Sequence, residues 1–335
     1  MRGEQRGARW AIVGLAAALV AVAVTADAGR WTEEDFARRV PIRYRFNNQE
    51  GFAQKTVIGA LNTYVVEEGD TLLDIARHFD LGYNEMMAAN PGIDPWLPAE
   101  GEVVVIPTEF VLPDSRAEVV VNIPEMRLYH FHGAISRDAA GSAVVSTYPV
   151  GLGRDDWRTP QGKFKIRGKT LNPTWVIPES IRAEHIRDRG DHRTSIAGGD
   201  PDNPLGRHRI ELTMPLYMLH GTNVPWGVGM QVSHGCIRLY NEDVVELFRE
   251  VKIGSSGEFL YQPVKVGARD GLIYVEAHPD IYALRGDPLA EAETLLARHG
   301  WSDRIDRRVL RKALTDLSGL PVVISTDAAQ LVVAN

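Results

Sequence analysis

The chain carries a single cysteine, Cys236, in 335 residues, so no disulfide can form within it. A dense Lys/Arg stripe is also missing. With 37 basic against 44 acidic side chains the formal net charge is −7, which excludes the basic face that a nucleic-acid partner needs. No internal repeat and no low-complexity tract occurs. An apolar fraction of 44% and a charged fraction of 24% are those of globular chains and argue against a polytopic membrane protein.

What is present begins with a leader. Arg2, Arg6 and Arg9 precede an apolar run over residues 11–24, and Ala26-Asp27-Ala28 has the small-x-small form of a leader-peptidase site. The run is shorter than the roughly 20 residues of a spanning helix. Residues 1–28 therefore read as a secretory signal peptide, with an uncleaved anchor as the alternative. The body is exported in either case. No cysteine follows the run, which excludes lipid attachment at a new N-terminus. A lone thiol in an exported chain asks for a reason, because oxidising compartments favour paired cysteines. The bland reason is a small buried apolar residue.

Residues 29–62 read as a connector with a short helix over 32–39, started by a Thr N-cap with acids in its first turn. Residues 63–107 then show a short strand, a Gly-Asp-Thr turn, two short helices stopped at Asn90-Pro91-Gly92, and a closing strand before Pro107. From 117 to 266 the pattern changes to short β-branched runs between Gly and Pro, which favours a β-sandwich or closed β-sheet domain over βαβ units. One helix stands out there, from Asn241 to Phe248, directly after the cysteine segment. Residues 267–335 read as a helical C-terminal extension with amphipathic stretches at 289–298 and 304–317.

The chemistry concentrates in His220-Gly221-Thr222 and, thirteen positions on, Ser233-His234-Gly235-Cys236-Ile237-Arg238. A thiol of ordinary pKa is only slightly ionised at neutral pH, so a nucleophilic cysteine needs a base beside it. His220 ends a predicted strand, and His234 lies two positions from Cys236. A zinc site fits poorly, since one sulfur and two imidazoles do not make a closed four-ligand set. The inert reading, a buried thiol among hydrogen-bonded histidines, stays open on spacing alone.

Two resemblances add to this. Tyr64-Val65-Val66, Gly69-Asp70-Thr71-Leu72, Ile75-Ala76 and Asn90-Pro91-Gly92 resemble a LysM domain, a glycan-binding module. That segment holds one Arg and nine Asp/Glu, so its glycan contacts must be hydrogen bonds and apolar packing rather than attraction to a polyanion. A small structural or partner-docking domain is the alternative. His220-Gly221-Thr222-Asn223 with Ser233-His234-Gly235-Cys236-Ile237-Arg238-Leu239 resembles the L,D-transpeptidase (YkuD) catalytic motif. Further matching features are Thr159-Pro160, Pro173-Thr174-Trp175 and Pro201-Asp202-Asn203-Pro204-Leu205-Gly206. The likeness runs over roughly 57–266 and is nearest to the Gram-negative branch, which implies a periplasmic location.

The resemblance implies Cys236 as nucleophile, His220 as base, His234 as second imidazole, Gly221 as the carbonyl that orients His220, and Gly235 with Cys236 as oxyanion donors. Ser233, Arg238 and Trp226 are candidate substrate contacts, with Trp175 either cleft or core. Arg238 departs from the Asn of many family members; its charge suits a substrate carboxylate, or an ion pair with Glu242 or Asp243. The implied activity is transfer of a peptidoglycan tetrapeptide stem through a Cys thioester. The acceptor would be a second stem's diaminopimelate or an outer-membrane lipoprotein, with no metal or organic cofactor. An L,D-carboxypeptidase and a catalytically inactive peptidoglycan-binding protein are the alternatives.

Overall fold

A computed structural model describes residues 30–39, 42–47, 55–115, 117–132 and 143–326. The leader and the last nine residues lie outside the described residues. No helix within them is long and apolar enough to cross a membrane.

The predicted strand, helix, helix, strand order is found in the LysM-like unit. Strands Asn62–Val65 and Val103–Ile106 pair antiparallel, with Asn62 opposite Ile106. Helices Leu72–His78 and Tyr83–Ala89 lie between them. Two-turn helices are marginal by themselves. Burial of Leu72, Ile75, Ala76, Leu81 and Met86 against Val104 and Ile106 supplies what propensity does not. Asn90 explains the Asn-Pro-Gly stop: its amide donates to the Met86 and Val105 carbonyls, each at 2.9 Å, and accepts from the Val105 N–H at 2.7 Å. The helix end is thereby stitched to the closing strand.

The domain that follows is mainly β. Its nine-stranded sheet runs, edge to edge, Arg43–Phe46, Ala143–Pro149, Arg127–His132, Val119–Asn122, Ser256–Leu260, Gly162–Leu171, His208–Leu212, Met218–His220, Ile237–Arg238. The ten-residue strand Gly162–Leu171 pairs with Ser256–Leu260 through its first half and with His208–Leu212 through its second, with a register shift between Ile166 and Gly168. Such an irregularity bends a strand, and here it turns the sheet's corner. Period-two alternation sorts the side chains. Val119, Val121 and Leu128 face a core that includes Val244 and Leu247 of helix Asn241–Glu250, while Val120, Tyr129 and Phe131 face the LysM-like unit. Both faces are covered, which is why Val119–Asn122 is buried throughout.

Two segments carry more structure than their sequence suggested. The connector contributes the edge strand Arg43–Phe46 and the strand Val57–Gly59, besides a helix Glu33–Ala37 capped by Thr32 in a capping box. Beyond its two helices, Pro288–Arg298 and Arg307–Asp316, the C-terminal segment contains a hairpin of Val264–Arg269 with Leu272–Ala277, completed by Val322–Val323. That sheet is the floor on which the helices pack.

Buried arginines join the two domains. Arg127 in the sheet donates to both oxygens of Glu85 at 2.6 and 2.8 Å, and Arg77 bridges Glu33 and Glu242 at 2.7 and 2.8 Å. Arg39 pairs with Asp243 and, at 3.2 Å, with Asp80. Replacing one member of a buried pair strands the other charge, at about 3–5 kcal/mol. Glu85→Ala should lower the urea midpoint by a corresponding amount; an unchanged midpoint would show that Arg127 does not depend on this contact.

Candidate active site

The site is built where strand Met218–His220 meets Ile237–Arg238. The two pair in parallel, Leu219 with Ile237 and His220 with Arg238, and the Leu239 N–H donates to the His220 carbonyl at 2.9 Å. On its other side Arg238 exchanges backbone hydrogen bonds with Gly151 at 2.8 and 2.9 Å. This register brings Cys236 level with Met218, two residues before His220.

The turn that presents the thiol is held from several directions. Ser233 Oγ donates to the Cys236 carbonyl at 2.6 Å and accepts from the Gly235 N–H at 3.0 Å. Thr159 Oγ1 donates to the Gly235 carbonyl at 3.0 Å, and the Tyr282 hydroxyl accepts from the Thr159 N–H at 3.2 Å while donating to the Gly153 carbonyl at 2.7 Å. Gly235 sits at φ +102°, and a Cβ there would lie 2.9 Å from the Tyr217 ring. Only glycine suits both demands.

His220 is buried, and its Nδ1 lies 2.6 Å from the Gly221 carbonyl. A carbonyl only accepts, so Nδ1 carries the proton and Nε2 the lone pair. Burial, with the Arg238 charge and more weakly Arg209, pushes the imidazole down to about 3, against the pull of the Gly221 hydrogen bond. Burial pushes the Cys236 thiol up, opposed by the Met218 backbone and the Arg238 charge. Its Sγ donates to the Leu216 carbonyl at 3.7 Å. Both shifts favour the neutral forms, a thiol and an imidazole.

The other sequence candidates fall into distinct places. Arg238 forms no ion pair among the described residues, and its buried Nε has no hydrogen-bond partner. Glu242 and Asp243, the partners considered for it, are taken by Arg77 and Arg39. His234 turns toward helix Glu179–Arg189, with Nε2 at 2.9 Å from Glu184 and 3.4 Å from Arg154. Its ring stands edge-on to Trp157 at 5.2 Å. Ser233 is buried with its hydroxyl committed within the turn, and the Gly235 N–H is committed to that hydroxyl. The Cys236 N–H has no hydrogen-bond partner among the described residues. Trp226, 57% exposed, lines a crevice with Leu73, Arg77 and Tyr83 of the LysM-like unit. Trp175 packs on the small core of Ile177, Ile181 and Ile196.

Sequence reasoning missed three supports. Asn241 accepts from the Thr222 N–H at 3.1 Å and donates to the Thr222 carbonyl at 2.8 Å; a Cβ on Gly221 would come within 2.3 Å of its Oδ1. Its place at the first position of a helix gave no hint of this. Thr159 was noted only as part of a motif, and Tyr282 lies in the segment read as a helical C-terminal extension.

The model of the L,D-transpeptidase catalytic domain, YkuD, matches residues 116–266, and that of the LysM domain matches 64–107. The first match defines a transpeptidase enzyme on a mainly β domain. The chain is similar to the probable L,D-transpeptidase YcfS of Escherichia coli strain K12, 34% identical over 330 residues that cover 95% of each. It is also similar to the probable L,D-transpeptidases YbiS and ErfK/SrfK of that strain. Identity is 34% with YbiS, over 79% of this chain and 88% of that one, and 33% with ErfK/SrfK, over 82% and 89%. By identity and coverage together, the chain belongs to the L,D-transpeptidase family. Similarity to YcfS over 95% of the chain also takes in C-terminal residues that the motif-based likeness left out.

The neutral pair has a signature in the pH dependence of alkylation. The rate of Cys236 modification by iodoacetamide should climb without levelling off below about pH 9, because burial holds the thiol above its ordinary value. Arg238→Ala should shift the profile to higher pH, since the lost cation favoured the thiolate. A plateau near neutral pH would instead indicate a thiolate–imidazolium pair.

Proposed function

We propose that the chain cross-links peptidoglycan stems or attaches a lipoprotein to them in the periplasm, through an acyl-enzyme on Cys236. The observation that carries this reading is the fixed tautomer of His220 beside the cysteine turn. The Nε2 lone pair takes the thiol proton as Sγ attacks the carbonyl of the L-centre of diaminopimelate. The oxyanion that forms meets the uncommitted Cys236 N–H. His220 then returns the proton to the departing amine of D-alanine, leaving a thioester. An acceptor amine attacks the thioester, gives its proton to His220 and displaces the sulfur, which is reprotonated. Both reactive groups begin and end the cycle neutral, so no buried charge persists between turnovers. Gly221 fixes the tautomer as the third member of the triad.

Arg238 holds a carboxylate of the stem peptide. A half-buried guanidinium whose Nε has no partner is costly, and a substrate carboxylate supplies the missing charge and acceptors. His234 acts with Glu184 to seat helix Glu179–Arg189 above the cleft. The LysM domain keeps the enzyme at its polymer through Trp96 and Leu97, 59% and 81% exposed in the loop after the second helix. Part of its acidic load is internal: Asp70 is buried and accepts from the Tyr64 hydroxyl at 2.8 Å and the Glu67 N–H at 2.9 Å.

Incubation with a purified tetrapeptide muropeptide should give an intact-protein mass increase that Cys236→Ala abolishes, and dimeric product once an acceptor amine is added. Tripeptide alone, in the presence of acceptor, would identify a carboxypeptidase; no adduct and no product would identify a binding protein. Arg238→Ala should lower kcat/KM for the tetrapeptide about 10–100-fold, in keeping with roughly 1.5–3 kcal/mol for a charged hydrogen bond.

A further inference from the structure

Away from the cleft, two groups of side chains among the described residues are close enough to ligate one ion. In the first, Glu125, Glu276 and His278, the cation position is already filled. The buried Lys265 ammonium lies 2.8 Å from Glu125 and 2.6 Å from Glu276. The second group, His130, His132 and Glu250, has no ammonium at its centre.

His130 and His132 stand two apart on strand Arg127–His132, so both point to the face covered by helix Asn241–Glu250, whose last residue is Glu250. Glu250 Oε2 lies 2.9 Å from His132 Nδ1 and 3.6 Å from His130 Nδ1. Zinc bonds of about 2.0–2.1 Å in a tetrahedral arrangement set ligand atoms about 3.3 Å apart. The two observed separations straddle that spacing. His130 is only 2% exposed, yet its Nδ1 and the facing Glu250 Oε2 make no hydrogen bond. Buried polar atoms of this kind call for a partner.

The far side of the His132 ring is arranged as a metal-bound histidine requires. His132 Nε2 lies 2.8 Å from Ser146 Oγ, and His130 Nε2 faces Glu118 Oε1 at 3.8 Å. Ligating histidines commonly engage an outer oxygen through the second nitrogen, which leaves the first free for the ion. Arg43 contacts the other oxygen of Glu250 and lies 3.7 Å from Glu246, so it offsets part of the local acidity. Burial, together with His132 and Arg43, holds His130 neutral, at about 3. His132 and Glu250 are half-buried, which leaves a route for an ion from solvent.

We infer that His130 Nδ1, His132 Nδ1 and Glu250 Oε2 form a binding site for a divalent ion of the zinc class, completed by water. The bound ion ties the last turn of helix Asn241–Glu250 to the central sheet. The first residue of that helix, Asn241, holds the loop after the catalytic histidine, so the site is structural and acts at the far end of an element that supports the cleft.

The test uses the full chain carrying Cys236→Ala, so that the thiol does not compete for metal, stripped with chelator and titrated calorimetrically with zinc chloride. One equivalent should bind and raise the melting temperature. Adding His132→Ala or Glu250→Gln should weaken binding by more than about 100-fold, whereas Ser146→Ala, an outer-shell change, should cost about 10–100-fold. Metal-free melting of each variant reports whether it is folded, and Co(II) in place of zinc should give the visible spectrum of a tetrahedral site. Absence of binding at millimolar zinc, or binding that survives both ligand substitutions in folded protein, would overturn the assignment.

Discussion

Parallel pairing of two very short strands, Met218–His220 and Ile237–Arg238, is the constraint on which the candidate active site depends. Sixteen residues of chain leave the sheet between His220 and Ile237 and must return in a register that sets Cys236 level with Met218, two residues before His220. A slip of one residue would turn every side chain to the opposite face. Two residue pairs do not secure such a register alone. The backbone exchange with Gly151, the clasp of Asn241 on Thr222, and the hydrogen bonds that Ser233 and Thr159 each make to the turn around Gly235 all reinforce it.

The electrostatics follow from the same burial. Seating His220 inside the domain removes its tendency to protonate, and placing Arg238 next to it removes more. The same guanidinium eases ionisation of the thiol. A single cation thus opposes proton transfer from sulfur to nitrogen at the imidazole, by disfavouring its charged form, and favours it at the thiol, by stabilising the thiolate. Its position in register with His220 lets one residue touch both sides of that balance.

Much of the fold was legible in the sequence. The LysM strands and helices follow from turn chemistry and apolar spacing, and the catalytic β domain from short β-branched runs between glycines. The resting charge state was not legible, because it depends on how deeply His220 is buried and on where the guanidinium lands. Arg238 could equally have met Glu242 or Asp243, four and five residues away in the chain. Only the assembled domains show those acids claimed by Arg77 and Arg39, residues from the N-terminal third. Tyr282 was invisible for a related reason: a tyrosine in a turn reveals nothing about a hydroxyl that reaches across 123 positions to Thr159.

That tyrosine changes how the C-terminal segment is understood. Its hydroxyl spans the Thr159 N–H and the Gly153 carbonyl, and Thr159 in turn grips the peptide just ahead of the cysteine. A chain ending at residue 266 would keep every motif of the catalytic domain and lose this brace. The boundary that sequence motifs draw is therefore not a mechanical one: the bracing of the Cys236 turn extends past it, and the segment after it is an anchor for that turn rather than a detachable appendage.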